Sequence, residues 1–137
     1  MQPEDANNQH LTFSKKERIC SKLTIEKLLE KKQKVFVYPY KCFYYFTPVS
    51  NEADVNRIMV NVPKRLFKHA VDRNRLKRLT REAYRKNHRH EFDCHLPEGI
   101  RADLLFFYVG NELLPYNFVE NKIIELLQRL TKVATTR

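Results

Sequence analysis

Glycine is nearly missing from this chain. With two glycines in 137 residues, a glycine-rich loop that wraps phosphates through backbone N–H groups cannot be built, which excludes nucleotide binding of that kind. Cysteine is scarce and odd in number: Cys20, Cys42 and Cys94 stand far apart. That is no disulfide framework, and it points to reduced thiols in a reducing compartment. No apolar run approaches the ~20 residues that a membrane-spanning helix needs. The first ten residues are polar and lack the basic-then-apolar pattern of a secretory signal. The expectation is a cytoplasmic protein with no membrane partner. Acids are short as well, 16 against 26 Lys and Arg, so many bases have no acid to pair with.

What the chain does have is apolar content for one real core: 42% hydrophobic residues, including seven Tyr and nine Phe, in a length that suits one domain. Its positive charge also has a direction. Between Lys64 and Arg89 stand eleven Lys and Arg and two acids, Asp72 and Glu82, so this stretch holds nine of the ten net positive charges of the chain. A charge so concentrated fits a large polyanion as partner. The stretch reads as a helix from about Arg73 to His90, with Asp72 as its N-cap. At about 100° per residue, Leu76, Leu79 and Ala83 fall on one face, and Asn74, Arg78, Arg81 and Arg85 on the other. A row of guanidiniums, each able to grip a phosphate bidentately, suits a polynucleotide backbone. The plainer reading is a solvated mixed-charge face, and the shortage of acids argues against it.

Around this helix the pattern alternates between the two periods of regular structure. Residues 1–14 read as a flexible polar start, 15–133 as a single domain and 134–137 as a tail. Leu23, Ile25, Leu28 and Leu29 fit a helix over Ser21 to Lys32. Val35 to Tyr38 and Lys41 to Val49 are β-branched and aromatic, and read as two strands. Arg57 to Val62 alternates, with Ile58, Val60 and Val62 on one side and Met59 and Asn61 on the other. Ala102 to Val109 is almost continuously apolar, as a central strand covered on both faces would be. Tyr116 to Lys132 is a last helix with Val119, Ile123, Leu126, Leu127 and Leu130 as its stripe. The order αβββαβα makes an α/β chain, an α+β-type two-layer sandwich on a four-stranded sheet.

The block Arg73-Asn74-Arg75-Leu76-Lys77-Arg78-Leu79-Thr80-Arg81-Glu82, preceded by Ile58-Met59-Val60-Asn61-Val62-Pro63-Lys64-Arg65 and followed by Ala102-Asp103-Leu104-Leu105-Phe106-Phe107, resembles the protein component of bacterial ribonuclease P over roughly residues 12–133. The resemblance implies a left-handed βαβ crossover through the basic helix, where general rules give a right-handed one. It implies an endoribonuclease that removes the 5′ leader of precursor tRNA, in which an RNA subunit and its Mg²⁺ ions carry the chemistry and the protein alone is inactive. The partners implied are the ribonuclease P RNA subunit and precursor tRNA. By position, Lys64, Arg65, Arg73, Asn74, Arg75, Lys77, Arg78, Arg81 and Arg85 are the RNA-binding set. The leader-binding cleft between the first helix and the sheet would carry Tyr44, Phe46, Met59 and Asn61, an aromatic there offering a stacking platform for any base. Where relatives often have Phe in the first helix, this chain has Ile25 and Leu29, for which core packing is the favoured reading.

Other chemistries find less support. Two-metal hydrolysis by the protein needs clustered carboxylates, yet Asp93 and Asp103 stand apart from other acids, and Asp72 and Glu82 lie amid the bases. His88, His90, Cys94 and His95 are close in sequence, but a closed zinc site calls for two spaced ligand pairs, and surface histidines extending a basic patch are the favoured reading. Cys20 and Cys42 read as buried thiols. The alternative functions are a ribosome-associated or other RNA-scaffolding protein, and a DNA-binding regulator. The latter is disfavoured because helix-turn-helix domains are helical and this chain carries four strands.

Overall fold

A computed structural model describes residues 17–19, 22–51 and 55–136. Among these the order is α1 (Lys22–Lys31), β1 (Lys34–Val37), β2 (Tyr40–Pro48), β3 (Arg57–Asn61), α2 (Ala70–Glu91), a 3-10 turn (Asp93–His95), β4 (Ile100–Tyr108) and α3 (Tyr116–Thr135). The polar start over 1–14 lies outside the described residues, as does Cys20. The last helix runs on through Thr135 with Ala134 buried, so Ala134 and Thr135, two of the four residues set apart as a tail, belong to the helix.

The strands form one mixed sheet in the order β1-β2-β4-β3. β2 runs antiparallel to both β1 and β4, whereas β3 and β4 lie side by side and parallel with α2 as their connection. The continuous apolar run of β4 is thereby explained: it has a strand on each edge and packed side chains on each face, and Ala102 through Phe106 are all buried. At its start, Gly99 takes a positive φ of 77° in the turn that feeds the strand, a conformation glycine adopts without strain.

Side-chain alternation sorts the strand residues into two cores. Tyr40, Cys42 and Phe46 of β2, Ile58 and Val60 of β3, and Ala102, Leu104, Phe106 and Tyr108 of β4 join Leu76, Ala83 and Tyr84 of α2 and the whole apolar stripe of α3 in the main core. The opposite face carries a smaller core, where Leu28 of α1 sits with Leu105 and Ile19, flanked by Ile25, Phe43, Tyr45, Met59 and Phe107. The sandwich is therefore the sheet against α2 and α3, with α1 laid across part of the other face.

Two details of α2 differ from the sequence reading. The helix starts at Ala70, with His69 as N-cap making no side-chain cap bond, so Asp72 stands inside the first turn and is not the cap. A carboxylate there still meets the positive end of the helix dipole. The buried stripe is Leu76, Thr80, Ala83, Tyr84, Asn87 and His88, with Leu79 half-buried beside it. A hydrophobicity pattern misses Thr80, Asn87 and His88 because they are polar, and each is buried only by virtue of a partner. Asn87 donates to Ala83 O at 2.8 Å and to Glu120 at 3.0 Å. The Thr80 hydroxyl donates to Leu76 O at 2.8 Å and lies 2.5 Å from the Tyr40 hydroxyl. With its own proton committed to the helix carbonyl, Thr80 accepts from Tyr40. Burial raises the Tyr40 pKa, so the phenol stays protonated and able to donate.

This pair predicts a measurable coupling. Thr80→Val keeps the shape but leaves the buried Tyr40 O–H without its acceptor, at a cost of about 1–3 kcal/mol in urea unfolding. Adding Tyr40→Phe removes the orphaned group, so the double variant should lose less than the sum of the two single losses. Strict additivity would mean that the hydroxyls contribute nothing to each other.

Candidate nucleic-acid interface

The face of α2 turned away from the core is the chain's main concentration of positive charge. Asn74, Arg75, Arg78 and Arg81 are exposed along it, Lys77 and Arg85 are half-buried at its margins, and Lys64 and Arg65 are exposed in the turn that follows β3. That turn is held by the amides of Leu66 and Phe67, which both donate to Pro63 O, at 3.1 and 3.3 Å. Two members of the sequence-derived set are partly occupied within the protein. Arg85 pairs with Glu82 one turn earlier. The Arg73 guanidinium donates to Phe67 O at 2.8 Å and Lys68 O at 3.0 Å, so it clamps the loop that sets where α2 begins. The exposed bases project from a helix whose other side is locked into the core, so their spacing is fixed before any partner arrives.

The second surface lies between α1 and the sheet. A cavity of about 410 Å³ is lined by Leu29, Lys41, Phe43, Asn61, Pro63, Arg65, Phe107 and Val109. Phe43 and Phe107 meet edge to face, with centroids 5.7 Å apart and planes at 79°. Met59 and Asn61 lie on this face as expected from the alternation of β3. Tyr44 and Phe46 do not: contrary to the expectation from the resemblance, they lie on the opposite face of the sheet. The register pairs Phe43 with Leu105 and Leu105 with Met59, while Tyr44 pairs with Leu104 and Leu104 with Ile58. The even-numbered aromatics of β2 therefore point with Ile58 into the main core, where Phe46 is 7% exposed and its ring centroid lies 5.4 Å from that of Tyr44. The cleft aromatics are Phe43 and Phe107. Both strand faces carry aromatic residues, so hydrophobicity along β2 could not tell them apart; the pairing across β4 does. Ile25 packs into the small core under α1, whereas Leu29 is 40% exposed and lines the cleft.

The histidine group also separates. His90, Cys94 and His95 are exposed, but His88 is not a surface histidine. Its ring stacks on Tyr84 at 4.5 Å with planes 6° apart, and its Nδ1 lies 2.6 Å from Asp93. Asp93 in turn accepts from Asn56 at 2.8 Å, and Asn56 accepts from the Ala102 amide at 2.7 Å. This chain of bonds ties the C-terminal end of α2 to the starts of β3 and β4. Asp103 is equally committed, to Arg57 and Arg101. Among the described residues, no three His, Cys, Asp or Glu side chains are grouped to hold a metal ion.

With this geometry in hand, the chain compares as follows. Residues 13–131 match the family model described as Ribonuclease P. A protein of Porphyromonas gingivalis named "Ribonuclease P protein component" is 33% identical over 118 residues, which are 86% of this chain and 85% of the relative. A protein of the same name from Borrelia duttonii is 30% identical over 115 residues, 81% of this chain and 92% of the relative. Among solved structures, the RNase P protein of Staphylococcus aureus superimposes with a TM-score of 0.63 at 20% identity, covering 86% of this chain and 97% of that one. The protein from Thermotoga maritima gives 0.59 at 21% identity, covering 82% and 96%. At those identities the structures speak for the fold, an α+β arrangement around a four-stranded mixed sheet.

The two kinds of arginine on α2 should behave differently. Arg78→Ala and Arg81→Ala should leave the melting temperature within a degree or two and each lower the slope of log affinity against log salt by about one for a structured RNA. Arg73→Ala should cost stability as well, because the Phe67 and Lys68 carbonyls lose their donor. Thermal melts beside binding titrations at several salt concentrations separate the two classes.

Proposed function

The chain belongs to the ribonuclease P protein family, and from that membership we propose that its two surfaces serve two RNAs. It is a protein subunit of ribonuclease P, an RNA-binding component of a tRNA-processing ribonucleoprotein. The finer reading is that the exposed face of α2, with Lys64 and Arg65, binds the catalytic RNA, and that the cleft beside α1 takes the single-stranded 5′ leader of precursor tRNA. The observation that carries it is the composition of the cleft: the Phe43–Phe107 pair and Leu29 form an apolar floor and wall, with Asn61, Lys41 and Arg65 around them. Aromatic rings accept any base by stacking, while the amide and the cations meet polar base edges and phosphates. Leaders differ in sequence from one tRNA to the next, so a stacking platform suits them better than a hydrogen-bond code.

In this reading the protein supplies no reacting group. The Asp93 and Asp103 carboxylates are spent on internal partners and Glu82 on Arg85. These residues do not fit a protein-held two-metal centre, and no hydrolytic step is assigned to them. Mg²⁺ belongs to the RNA subunit in this proposal, and the isolated protein is inactive. Its contributions are to screen the repulsion between two polyanions and to favour substrates that carry a leader. A cytoplasmic location is part of the same proposal; among the described residues no helix is long and apolar enough to cross a membrane.

The corrected cleft makes a sharp test. Phe43→Ala should weaken precursor tRNA binding by the holoenzyme by about 1–3 kcal/mol, the size of one lost base stack, and leave mature tRNA binding unchanged. Phe46→Ala should instead destabilise the fold by about 3–5 kcal/mol, as for a buried Phe, without favouring one RNA over the other. Equal losses for precursor and mature tRNA with Phe43→Ala would remove the leader from this cleft. RNA-free protein should not cleave precursor tRNA, and cleavage should appear when RNA subunit and Mg²⁺ are supplied together.

A further inference from the structure

The cleft occupies only one side of α1. Taking about 100° per residue, Ile25 and Leu29 project on one flank of the helix and Thr24, Lys27 and Lys31 on the other, with Leu28 between them pointing down onto Leu105. Glu26 and Glu30 face outward. The helix thus parts the sheet surface into an apolar cleft and a second, basic notch. The notch is a cavity of about 120 Å³ lined by Thr24, Lys27, Leu28, Tyr45, Thr47, Arg57, Arg101 and Asp103.

Its floor is organised around one carboxylate. Asp103, whose side chain is 5% exposed, accepts from Arg57 Nε at 2.9 Å, Arg57 Nη2 at 3.0 Å and Arg101 Nη1 at 2.8 Å. The Arg57 and Arg101 side chains are 29% and 16% exposed. On the opposite wall, Lys27 Nζ and Lys31 Nζ stand 5.2 and 5.7 Å from the centre of the Tyr45 ring. Among the described residues, Lys27, Arg57 and Arg101 line this small polar hollow with Asp103, and Lys31 stands at its edge over Tyr45. A buried carboxylate that fixes two arginines gives them a set geometry, and guanidiniums held this way match the oxygens of a phosphate. Tyr45, Asp103 and Arg57 are one cross-strand row, and Lys41, Phe107 and Asn61 of the cleft are another, four residues away along each strand. At about 3.3 Å per residue that separation is roughly 13 Å, two steps of an extended polynucleotide.

We propose that this notch is a phosphate-binding site for an RNA backbone, separate from both the arginine face of α2 and the aromatic cleft, with Arg57, Arg101, Lys27 and Lys31 as its ligands and Asp103 as the residue that positions the two arginines. The proposal rests on the chain being an RNA-binding subunit. The phosphate has two possible sources, the leader after it passes over α1 and the RNA subunit itself, and their chemistry is the same.

The test compares four proteins: wild type, Lys27→Gln/Lys31→Gln, Asp103→Asn, and Lys122→Gln/Lys132→Gln as a pair of equal charge on α3, beyond the opposite face of the sheet. Each is titrated with the RNA subunit alone and, as holoenzyme, with mature tRNA and with precursor tRNAs carrying short and long leaders, over a range of salt. The Lys27/Lys31 variant should lose on the order of tenfold affinity near physiological salt, with the salt slope falling by about two, and the α3 pair should not. Loss confined to long-leader precursor assigns the leader as the source; loss toward the RNA subunit assigns that RNA. Losses no greater than those of the α3 pair for every RNA would overturn the proposal. Asp103→Asn adds one net positive charge, so a bare charge effect would tighten binding, whereas an oriented clamp predicts weaker binding from a protein shown by circular dichroism to be folded. Tighter binding would overturn the role of Asp103. The leader reading fails on a different measurement: a wild-type holoenzyme that does not prefer precursor to mature tRNA would sink that reading and leave the notch to be judged on the RNA subunit.

Discussion

Both edges and both faces of β4 are occupied, and the placement of nearly every functional side chain follows from that. Its even-numbered residues, Ala102 to Tyr108, enter the main core under α2 and α3, while Leu105 and Phe107 face α1. Because side chains alternate strictly along a strand, the register against β2 and β3 fixes which of their residues share each face. Leu105 beside Phe43 and Met59 sets the composition of the cleft. A slip of one residue would bring Tyr44 and Phe46 to the cleft and bury Phe43, exchanging one aromatic platform for another with a different neighbourhood of charge.

The same core makes a highly charged helix tenable. Like charges three or four residues apart, such as Lys77, Arg78 and Arg81, oppose helix formation by a few tenths of a kcal/mol per pair. Against this stand the fully buried Leu76, Ala83 and Tyr84 and the bonded polar residues of the inner stripe. The polar members do more than fill space. Thr80 fixes α2 to β2 through Tyr40, Asn87 fixes it to α3 through Glu120, and His88 fixes its end to the loop before β3 through Asp93 and Asn56. Each bond needs one rotation and one height of the helix, so together they set the direction in which the arginines point. A purely apolar stripe would tolerate a range of rotations.

On the opposite face, a ten-residue helix with one fully buried side chain does the partitioning. Leu28 anchors α1 on Leu105, and the flanks on either side of that anchor differ in kind: Ile25 and Leu29 toward the aromatic cleft, Lys27 and Lys31 toward the arginines around Asp103. An RNA strand offers bases and phosphates with opposite requirements, and a narrow divider lets the two kinds of surface lie a few nucleotides apart without mixing.

Much of this was legible in the chain itself. The order αβββαβα, the central position of β4, the core side of β3, the stripe of α3 and the basic outer face of α2 all follow from periodicity and from the placement of charge, because these are local properties repeated over a dozen or more residues. The Arg73–Glu82 block carried the family as well. What stayed hidden depended on contacts between distant residues. Which aromatics of β2 face the cleft required the pairing across β4. That Arg73 is a loop clamp, that His88 is buried and that Asp103 gathers Arg57 as well as its near neighbour Arg101 required partners 2 to 46 positions away. The sequence by itself determined the elements, their order and the sign and location of the charge, since periodicity and composition are written along one dimension. Only the tertiary structure decided which side chains share a surface, because that is set by register and packing between segments whose separation along the chain says nothing of their distance in space.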